Sequence, residues 1–560
     1  MAGFVDNNAS DVEFVDSNTT AEKDFFALPE AVKTDYEYEP SDELIGMRDQ
    51  TTKTYITEDG KFAQLNHATP VHFIDDSGAW GDIDLNVVAT SNGWEVTENS
   101  FETHFAPEMA YGVAVQPNQF VDPIITGIAP MIVTLDQTGT APEPYYVAPS
   151  EEGVTVGGNV LRYPVAEGFD LDYTVESTQL KQQLVIRERP VLEPNAAWFG
   201  LSETMQIPSG YALYLGDTML GEEMTQTQES LEIRHMETGE ILAEIPVPVV
   251  IEEGSEGPYT ATFFIQVYGP QVVITTAVEA DWLMSDDRVF PLAIDPTIKV
   301  YQNAGGYCYR YYRNCYSSSY GYTFKYYGSV RYMPWHRYTF TSSNALPTGA
   351  TVDSIKQIST YSYKSGSNSA TITASVLEDC GTQTMSAYSH AMITRTCSGA
   401  MPASKILTGS SYNSANSRGL ILSMWNSAAA TTHTLGSYSG GKYTNTFCST
   451  ATTCASSAAG GYITTAQTNA GTVGIGQRIV AQNNAYIYER TINSGTSNSY
   501  LEIVYSGGSD TDAPLSGFIP YTGVTSYIEG ARTFFTTLVD MSGIDTTTAN
   551  APTLNYALNN

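Results

Sequence analysis

The chain has 560 residues, of which 42% are hydrophobic and 16% are charged, and its 61 acidic residues outweigh 26 lysines and arginines to give a net charge of −35. A chain of this length divides into several domains, because single hydrophobic cores stop growing at about 250–300 residues. The negative charge argues against nucleic acid as a partner, since phosphates would be repelled. No apolar run reaches transmembrane length, so we expect no membrane span in this segment.

Short β-branched and aromatic stretches, bounded by Gly, Pro, Asn or Asp, recur along the chain, whereas long runs of helix formers are scarce. This composition predicts an all-β protein of tandem β-sandwich domains. We expect an extended acidic arm over residues 1–40, which either docks onto a neighbour or is an unanchored terminus.

Residues 41–297 are predicted to form one or more acidic, β-rich modules. The stretch "TKTYITEDGKFAQL" predicts a hairpin, because Asp59-Gly60 is a strong turn signal between two alternating strands. The stretch "VHFIDDSGAWGDIDLNVV" follows the same pattern of strand, glycine turn and strand.

The sign of the charge changes sharply near residue 298. Residues 1–298 hold 51 acids and 11 lysines or arginines, whereas residues 299–508 hold 5 acids and 14 lysines or arginines, so the net charges are −40 and +9. Such a change predicts a domain boundary. We therefore expect a basic β-sandwich over residues 298–508, followed at 509–560 by a linker and a β-domain too short to close a sandwich of about 100 residues.

All six cysteines lie in the basic segment. They are Cys308, Cys315, Cys380, Cys397, Cys448 and Cys454. These residues form three local pairs, and the simplest interpretation is three disulfides, 308–315, 380–397 and 448–454. Free buried thiols are the alternative. No pair has zinc-knuckle or redox spacing. An even number of cysteines within one domain indicates an oxidising, extracellular compartment.

The basic segment opens with the tyrosine-rich stretch "YCYRYYRNCY". Tyrosine and arginine are enriched at the centres of protein interfaces, and exposed aromatic faces also stack on sugars, while some of these rings simply pack the sandwich. The candidate interface or glycan-binding residues are Tyr309, Arg310, Tyr311, Tyr312, Arg313, Tyr316, Tyr326, Tyr327 and Trp335.

Four acids cluster around a glycine turn: Asp75, Asp76, Asp82 and Asp84. Hard oxygen ligands at short spacing suit calcium, and a solvated acidic loop is the alternative.

No catalytic motif is present: the chain has no H-E-x-x-H, no G-x-S-x-G and no phosphate-binding glycine loop. The sequence therefore predicts no enzyme, and calcium is the one cofactor it suggests.

Several motifs together resemble those of large secreted proteins. They are "GKFAQLNHATPVHFIDDSGAWGDIDL", "YPVAEGFDLDYTV" with "QLVIRERP", and "FPLAIDPTI". The stretches "HRYTFTSSNALPTGATVDSIKQISTYSY" and "NSYLEIVYS" resemble the opening and closing strands of a DNRLRE-type (disaggregatase-related) β-domain. The tail from "VTSYIEGARTFFTTLVDMSG" resembles the start of an immunoglobulin-like repeat. The resemblance implies an extracellular or cell-surface multidomain protein and carries over no active site.

Opposite charges on consecutive modules predict self-association. Head-to-tail contact between the acidic front of one copy and the basic, tyrosine-rich face of the next would build a filament, sheath or layer. Contact between the two modules within one chain is the alternative. A carbohydrate-binding or adhesive module, and a polysaccharide-degrading enzyme suggested by the disaggregatase link, are the rival functions.

Overall fold

The structure, a computed structural model, confirms the all-β fold: antiparallel sheets account for most of the chain that it describes. The described residues are 28, 36–75, 78–117, 121–139, 142–145, 147–148, 150, 152–252, 259–300, 305–309, 314–317, 322–326, 329–342, 344–361, 364–365, 369–376, 427–434, 441–479, 488–490, 499–507, 524–529 and 532–537.

The first sandwich packs two sheets face to face. Sheet one runs in the order β18–β23–β24–β15–β9–β8–β7–β6–β5, with β10 paired to β9. Its strands are β5 (Val88–Thr90), β6 (Gly93–Val96), β7 (Glu102–Phe105), β8 (Tyr111–Gln116), β9 (Ile124–Leu135), β10 (Glu143–Pro144), β15 (Trp198–Gln206), β18 (Thr225–Thr227), β23 (Thr262–Tyr268) and β24 (Gln271–Glu279).

Sheet two runs in the order β11–β12–β13–β14–β26–β20–β19–β16–β17, and β25 joins β14 to the pair β21 and β22. Its strands are β11 (Thr155–Gly157), β12 (Val160–Ala166), β13 (Phe169–Val175), β14 (Gln179–Ile186), β16 (Tyr211–Leu215), β17 (Thr218–Met219), β19 (Leu231–His235), β20 (Ile241–Ile245), β21 (Val249–Glu252), β22 (Tyr259–Thr260), β25 (Leu292–Asp295) and β26 (Thr297–Lys299).

One apolar core lies between these two sheets and draws on both. Alternating side chains of β13 and β14 meet those of β9 and β15, as the period of two in each strand requires. Representative core residues, all at most 1% exposed, are Leu171, Leu184, Phe199, Leu201 and Phe263.

The second sandwich is built from sheets three and four. Sheet three runs in the order β1–β2–β38–β31–β35 and sheet four in the order β32–β37–β29–β30–β36–β33–β34, with β27 and β28 attached to β30. The strands of sheet three are β1 (Thr52–Ile56), β2 (Phe62–His67), β31 (Thr351–Tyr361), β35 (Gly441–Cys448) and β38 (Tyr500–Ser506). Those of sheet four are β27 (Gly305–Tyr309), β28 (Asn314–Ser317), β29 (Tyr322–Tyr326), β30 (Ser329–Thr339), β32 (Lys364–Ser365), β33 (Ser369–Val376), β34 (Ser427–Thr434), β36 (Thr472–Ile479) and β37 (Tyr488–Arg490).

The remaining elements are short. β3 (His72–Ile74) and β4 (Trp80–Asp82) form a hairpin of their own. The 3-10 helices Pro40–Asp42 and Ile45–Met47 precede β1, and the α-helices among the described residues are α1 (Ala280–Leu283), α2 (Ala451–Ser456) and α3 (Ala458–Thr468). In the C-terminal compact unit, β39 (Val524–Glu529) pairs with β40 (Arg532–Thr537).

The hairpin predicted at Asp59-Gly60 is confirmed. β1 and β2 pair from Thr52↔Asn66 to Ile56↔Phe62, and Gly60 takes the positive φ of +77° that a turn glycine tolerates. The strand that pairs with this hairpin is unexpected. We placed the hairpin in the acidic module, whereas it lies in sheet three with strands of the basic segment. The first sandwich, residues 88–299, is therefore inserted between two parts of the second.

Candidate functional site: the docked N-terminal segment

Residues 36–82, called here the N-terminal segment, complete the second sandwich from a distant part of the chain. The hairpin β1–β2 joins sheet three because β2 pairs with β38, from Phe62↔Tyr505 to His67↔Tyr500. The whole first sandwich lies between these two strands in the sequence. We call the surface on which this segment contacts the rest of the second sandwich the docking surface. It is the candidate functional site, because the contacts across it are non-covalent and join residues that are far apart in the sequence.

Two tyrosines of the segment lie across the outer face of sheet three. The Tyr38 ring stacks on Tyr55, with 5.1 Å between ring centroids and an interplanar angle of 18°. Tyr36 meets the His67 ring edge-on, at 5.7 Å between ring centroids. Aromatic pairs of this kind stabilise by about 0.5–1.5 kcal/mol beyond the area they bury. In the acidic stretch before β1, the tyrosine rings and not the carboxylates therefore cover this face of the sheet.

A buried carboxylate anchors this aromatic contact. The Tyr38 hydroxyl donates a hydrogen bond of 3.0 Å to Glu502 Oε2, and Lys356 Nζ donates one of 2.8 Å to Glu502 Oε1. Glu502 is fully buried. Burial, together with the charge of Glu502, raises the pKa of Tyr38, so its hydroxyl keeps its proton and acts as donor. Lys356 pairs with one oxygen of this buried carboxylate and Tyr38 supplies a donor to the other, so Glu502 favours the docked position of Tyr38.

The inner face of the hairpin is tied down by amides. Gln64 Nε2 donates a hydrogen bond of 2.7 Å to the Asn344 carbonyl, and Gln64 Oε1 accepts one from Gln467 in α3. Asn344 Nδ2 in turn donates to Thr52 Oγ1 at 2.6 Å. All four residues are buried. Buried amides must find their partners, so this network selects one register for the hairpin.

A four-membered ion cluster fastens the segment to itself. Arg48 makes a bidentate contact with Glu43, at 2.8 Å from Nε to Oε1 and 2.8 Å from Nη2 to Oε2, and its Nη2 also donates to Asp82 Oδ2 at 2.9 Å. Lys53 contacts Asp82 and lies 3.5 Å from Glu43 Oε2. The Glu43 side chain is only 4% exposed. Two acids and two bases cancel here, which permits Glu43, Arg48 and Lys53 to be largely buried while the Asp82 side chain stays 56% exposed.

His72 completes the ion cluster. Its Nε2 lies 3.7 Å from Glu43 Oε1 and 3.6 Å from Asp82 Oδ1, while its Nδ1 contacts the Asp49 carbonyl. Burial acts to raise the pKa of Glu43, but the hydrogen bonds of His72 and Arg48 and the charge of Lys53 lower it to about 2. Glu43 is therefore ionised at neutral pH, where it carries the negative charge that faces Arg48 and Lys53.

The two parts of the second sandwich carry opposite charges. Residues 36–87 hold 11 acids and 3 lysines or arginines, a net charge of −8, and residues 301–507 hold 5 acids and 13 lysines or arginines, a net charge of +8. The charges cancel when the parts combine. Residues 88–300 keep 32 acids against 7 lysines or arginines, a net charge of −25. The charge difference seen along the chain is thus partly matched inside one sandwich.

A second buried site lies in the core of the first sandwich. Glu203 on β15 accepts a hydrogen bond of 3.1 Å from Thr126 Oγ1 and another from Gln182 on the opposite sheet. Gly127, beside it, has a φ of +64°, and a Cβ there would come within 2.1 Å of the Tyr173 hydroxyl. Burial raises the pKa of Glu203 to about 7, against the lowering effect of its hydrogen bonds. Its charge therefore changes near neutral pH.

The cysteine predictions have different outcomes. The Cys448–Cys454 disulfide is confirmed; it links the end of β35 to α2. Cys308 and Cys315 stand directly opposite each other in the pairing of β27 with β28. Cys380 and Cys397 lie outside the described residues, and their disulfide stays a prediction.

The tyrosine-rich candidates are distributed over several strands of sheet four. Tyr309, Tyr316, Tyr326 and Trp335 lie on β27, β28, β29 and β30 respectively. Arg310, Tyr311, Tyr312, Arg313 and Tyr327 lie outside the described residues. Further along β30, His336, Tyr338 and the adjoining Phe340 are buried, so part of this aromatic segment packs the sandwich. The interface and glycan-binding roles of the candidates stay predictions.

The acidic candidates for calcium have other partners in the structure. Asp75 caps its own turn by accepting from the Ala79 amide at 3.0 Å, and Asp84 accepts from the Asn86 amide at 2.9 Å. Asp82 belongs to the ion cluster, and Asp76 lies outside the described residues. Within the part of the chain that the structure describes, no three His, Cys, Asp or Glu side chains gather as a metal site.

The residues that build the docking surface were not found from the sequence. Tyr36, Tyr38, Gln64 and Glu502 carry no motif, and their positions in the chain give no sign of contact. Two signals were available: Glu502 is an acid within an otherwise apolar strand, and "DYEYEP" puts two tyrosines in an acidic arm. Neither signal indicates which distant residue is contacted.

Comparison with known proteins adds no family. No protein-family model matches the chain, and no curated protein matches it. Among the described residues, no helix is long and apolar enough to span a membrane.

Proposed function

We propose that the chain is a secreted structural protein of a cell surface that assembles with copies of itself. The observation that carries this proposal is the docked N-terminal segment, which completes sheet three through β2 and β38. The same contacts can form when the segment of one copy docks onto the second sandwich of the next. Exchange of an identical element between copies is a low-cost route to assembly, and a chain of such exchanges that does not close forms a filament.

Three features support the proposal. Residues 36–87, which include the segment, and residues 301–507, which include its acceptor, carry net charges of −8 and +8, so the two parts attract each other within about a Debye length. The amide network around Gln64 sets one register, as specific addition of strands to a sheet requires. The Cys448–Cys454 disulfide fits an oxidising compartment. The DNRLRE-type and immunoglobulin-like resemblances agree with a surface location and belong to the same proposal.

A pair of introduced cysteines tests the exchange. Ala63 stands directly opposite Val504 in the pairing of β2 with β38, and opposite residues have Cβ atoms about 4.5–5.5 Å apart, which is close to disulfide range. We expect Ala63→Cys with Val504→Cys, oxidised in assembled material, to give a ladder of covalent oligomers on a non-reducing gel. A control pair, Val88→Cys with Glu95→Cys, lies within one hairpin and should give monomer only.

Two further results would count against the proposal in different ways. Fibres or lattices in electron micrographs, combined with a monomer-only gel for the test pair, would show assembly without exchange. Monodisperse particles of the native protein at both low and high salt would remove the structural function and favour the carbohydrate-binding alternative.

A further inference from the structure

The outer face of sheet two carries a lysine and an aspartate in direct contact. Lys181 Nζ lies 3.2 Å from Asp295 Oδ2, and the two side chains are only 2% and 6% exposed. Lys181 belongs to β14, in which all eight residues are buried. The pair is therefore removed from water although both members carry charge at neutral pH in solution.

The strands fix this contact rigidly. β14 pairs with both β25 and β26, so Lys181 stands directly opposite Thr297, two residues beyond Asp295. The Thr297 hydroxyl donates a hydrogen bond of 2.6 Å to Asp295 Oδ1. Asp295 thus presents one oxygen to a hydroxyl donor and the other to the amine.

Burial favours the uncharged forms of both groups. Desolvation raises the pKa of Asp295, against the lowering effect of Lys181 and Thr297. A buried ion pair costs more in desolvation than an equivalent neutral pair, so transfer of one proton from the ammonium to the carboxylate is easier here than in water. The products of that transfer are a nucleophilic amine and a carboxylic acid.

The geometry also favours reaction between them. Groups held at about 3–3.5 Å react as if at effective molarities of about 10⁵–10⁸ M. A donor aimed at the carboxyl oxygen stabilises the negative charge that develops on it during attack, and the Thr297 hydroxyl occupies that position.

We propose that Lys181 and Asp295 join in an amide bond that crosslinks β14 to the strand pair β25–β26. The lone pair of the uncharged Nζ attacks the carboxyl carbon of Asp295, and the new C–N bond forms as the C–Oδ2 bond breaks. The departing hydroxyl takes a proton from Nζ and leaves as one water molecule. No oxidant, metal or second substrate takes part.

Mass spectrometry of the full chain tests this modification. Disulfides are reduced first, so that their hydrogen atoms do not affect the mass. We expect the folded, full-length protein to weigh one water molecule less than its sequence requires, and we expect a digest to yield a branched peptide that joins residues 181 and 295. An intact mass equal to the sequence mass, from protein with a folded β-sheet circular dichroism spectrum, would overturn the proposal.

Matched variants locate the bond. Lys181→Arg keeps the positive charge but offers no nucleophilic amine, so its mass should equal its own sequence mass, as should that of Asp295→Ala. Thr297→Val should slow formation and leave a mixture of linked and unlinked chains. Lys299 and Glu244 form an internal control on the same sheet: they are also buried but lie 3.8 Å apart, and we expect no branched peptide from them. Retention of the water loss in Lys181→Arg would disprove the assigned residue.

Discussion

Tyr38 donates a 3.0 Å hydrogen bond to Glu502, which lies 464 residues further along the chain. The bond joins the acidic stretch before the first strand to the strand that closes the second sandwich. Because Glu502 is fully buried and also paired with Lys356, the contact belongs to the folded core and not to a loose surface encounter. It therefore joins two parts of the second sandwich that are far apart in the sequence.

Removing the Tyr38 hydroxyl should weaken the docked segment. A hydrogen bond to a buried charge contributes about 1.5–3 kcal/mol, so we expect Tyr38→Phe to lower the free energy of unfolding by about 2 kcal/mol. Urea unfolding at constant m-value measures this change. Tyr268→Phe is the matched control, because Tyr268 is 50% exposed and should change stability by less than about 0.5 kcal/mol. Equal effects of the two substitutions would contradict the anchoring role.

Glu203 should make the first sandwich more stable in mild acid than at alkaline pH. Its folded pKa of about 7 lies above the unfolded value of 4.5, so the folded state binds the proton more tightly. The stabilising effect is complete below pH 4.5 and is lost as the pH rises through 7, and linkage gives it a size of about 3 kcal/mol. We expect Glu203→Gln to remove this slope in unfolding measurements from pH 5 to 8. The exposed Glu237→Gln serves as control, and an unchanged slope in Glu203→Gln would rule out this assignment.

Glu43 should act in the opposite direction. Its folded pKa of about 2 lies below the unfolded value of 4.5, so its stabilising effect is complete above pH 4.5 and is lost as the pH falls towards 2. Glu43→Gln should therefore lower the free energy of unfolding at pH 7. On acidification, that free energy should fall less in the variant than in the wild type. Fluorescence-monitored acid unfolding measures both effects. Wild-type and variant curves that run parallel from pH 5 to 2 would show that the ion cluster does not depend on this charge.

The Cys448–Cys454 disulfide should contribute modestly, because it closes a short loop with a sequence separation of 6. The chain-entropy model gives such a loop about 2 kcal/mol. We expect Cys448→Ser with Cys454→Ser to lower the free energy of unfolding by about that amount while sheet content in circular dichroism stays the same. A loss well above this size would mean that the bond also positions α2 and α3 against sheet three.

The sequence predicted what local patterns determine. The hairpin at Asp59-Gly60 and the strand "SYLEIVYSG" follow from alternation with period two and from turn residues, and the 448–454 disulfide follows from short spacing. These features depend on neighbouring residues, so no knowledge of the fold is needed to find them. The all-β class follows in the same way.

Only the tertiary structure decided which strands pair. A strand pattern states which residues share a face but not which distant strand lies beside it, and so the pairing of β2 with β38 was not predicted. For the same reason, the sequence did not predict the contacts of Tyr38 with Glu502, of Glu203 with Gln182 or of Lys181 with Asp295. The change in the sign of the charge near residue 298 marks a real change in composition. The hairpin β1–β2 precedes that point and yet pairs with the later strand β38, because non-local packing and not composition decides which strands pair.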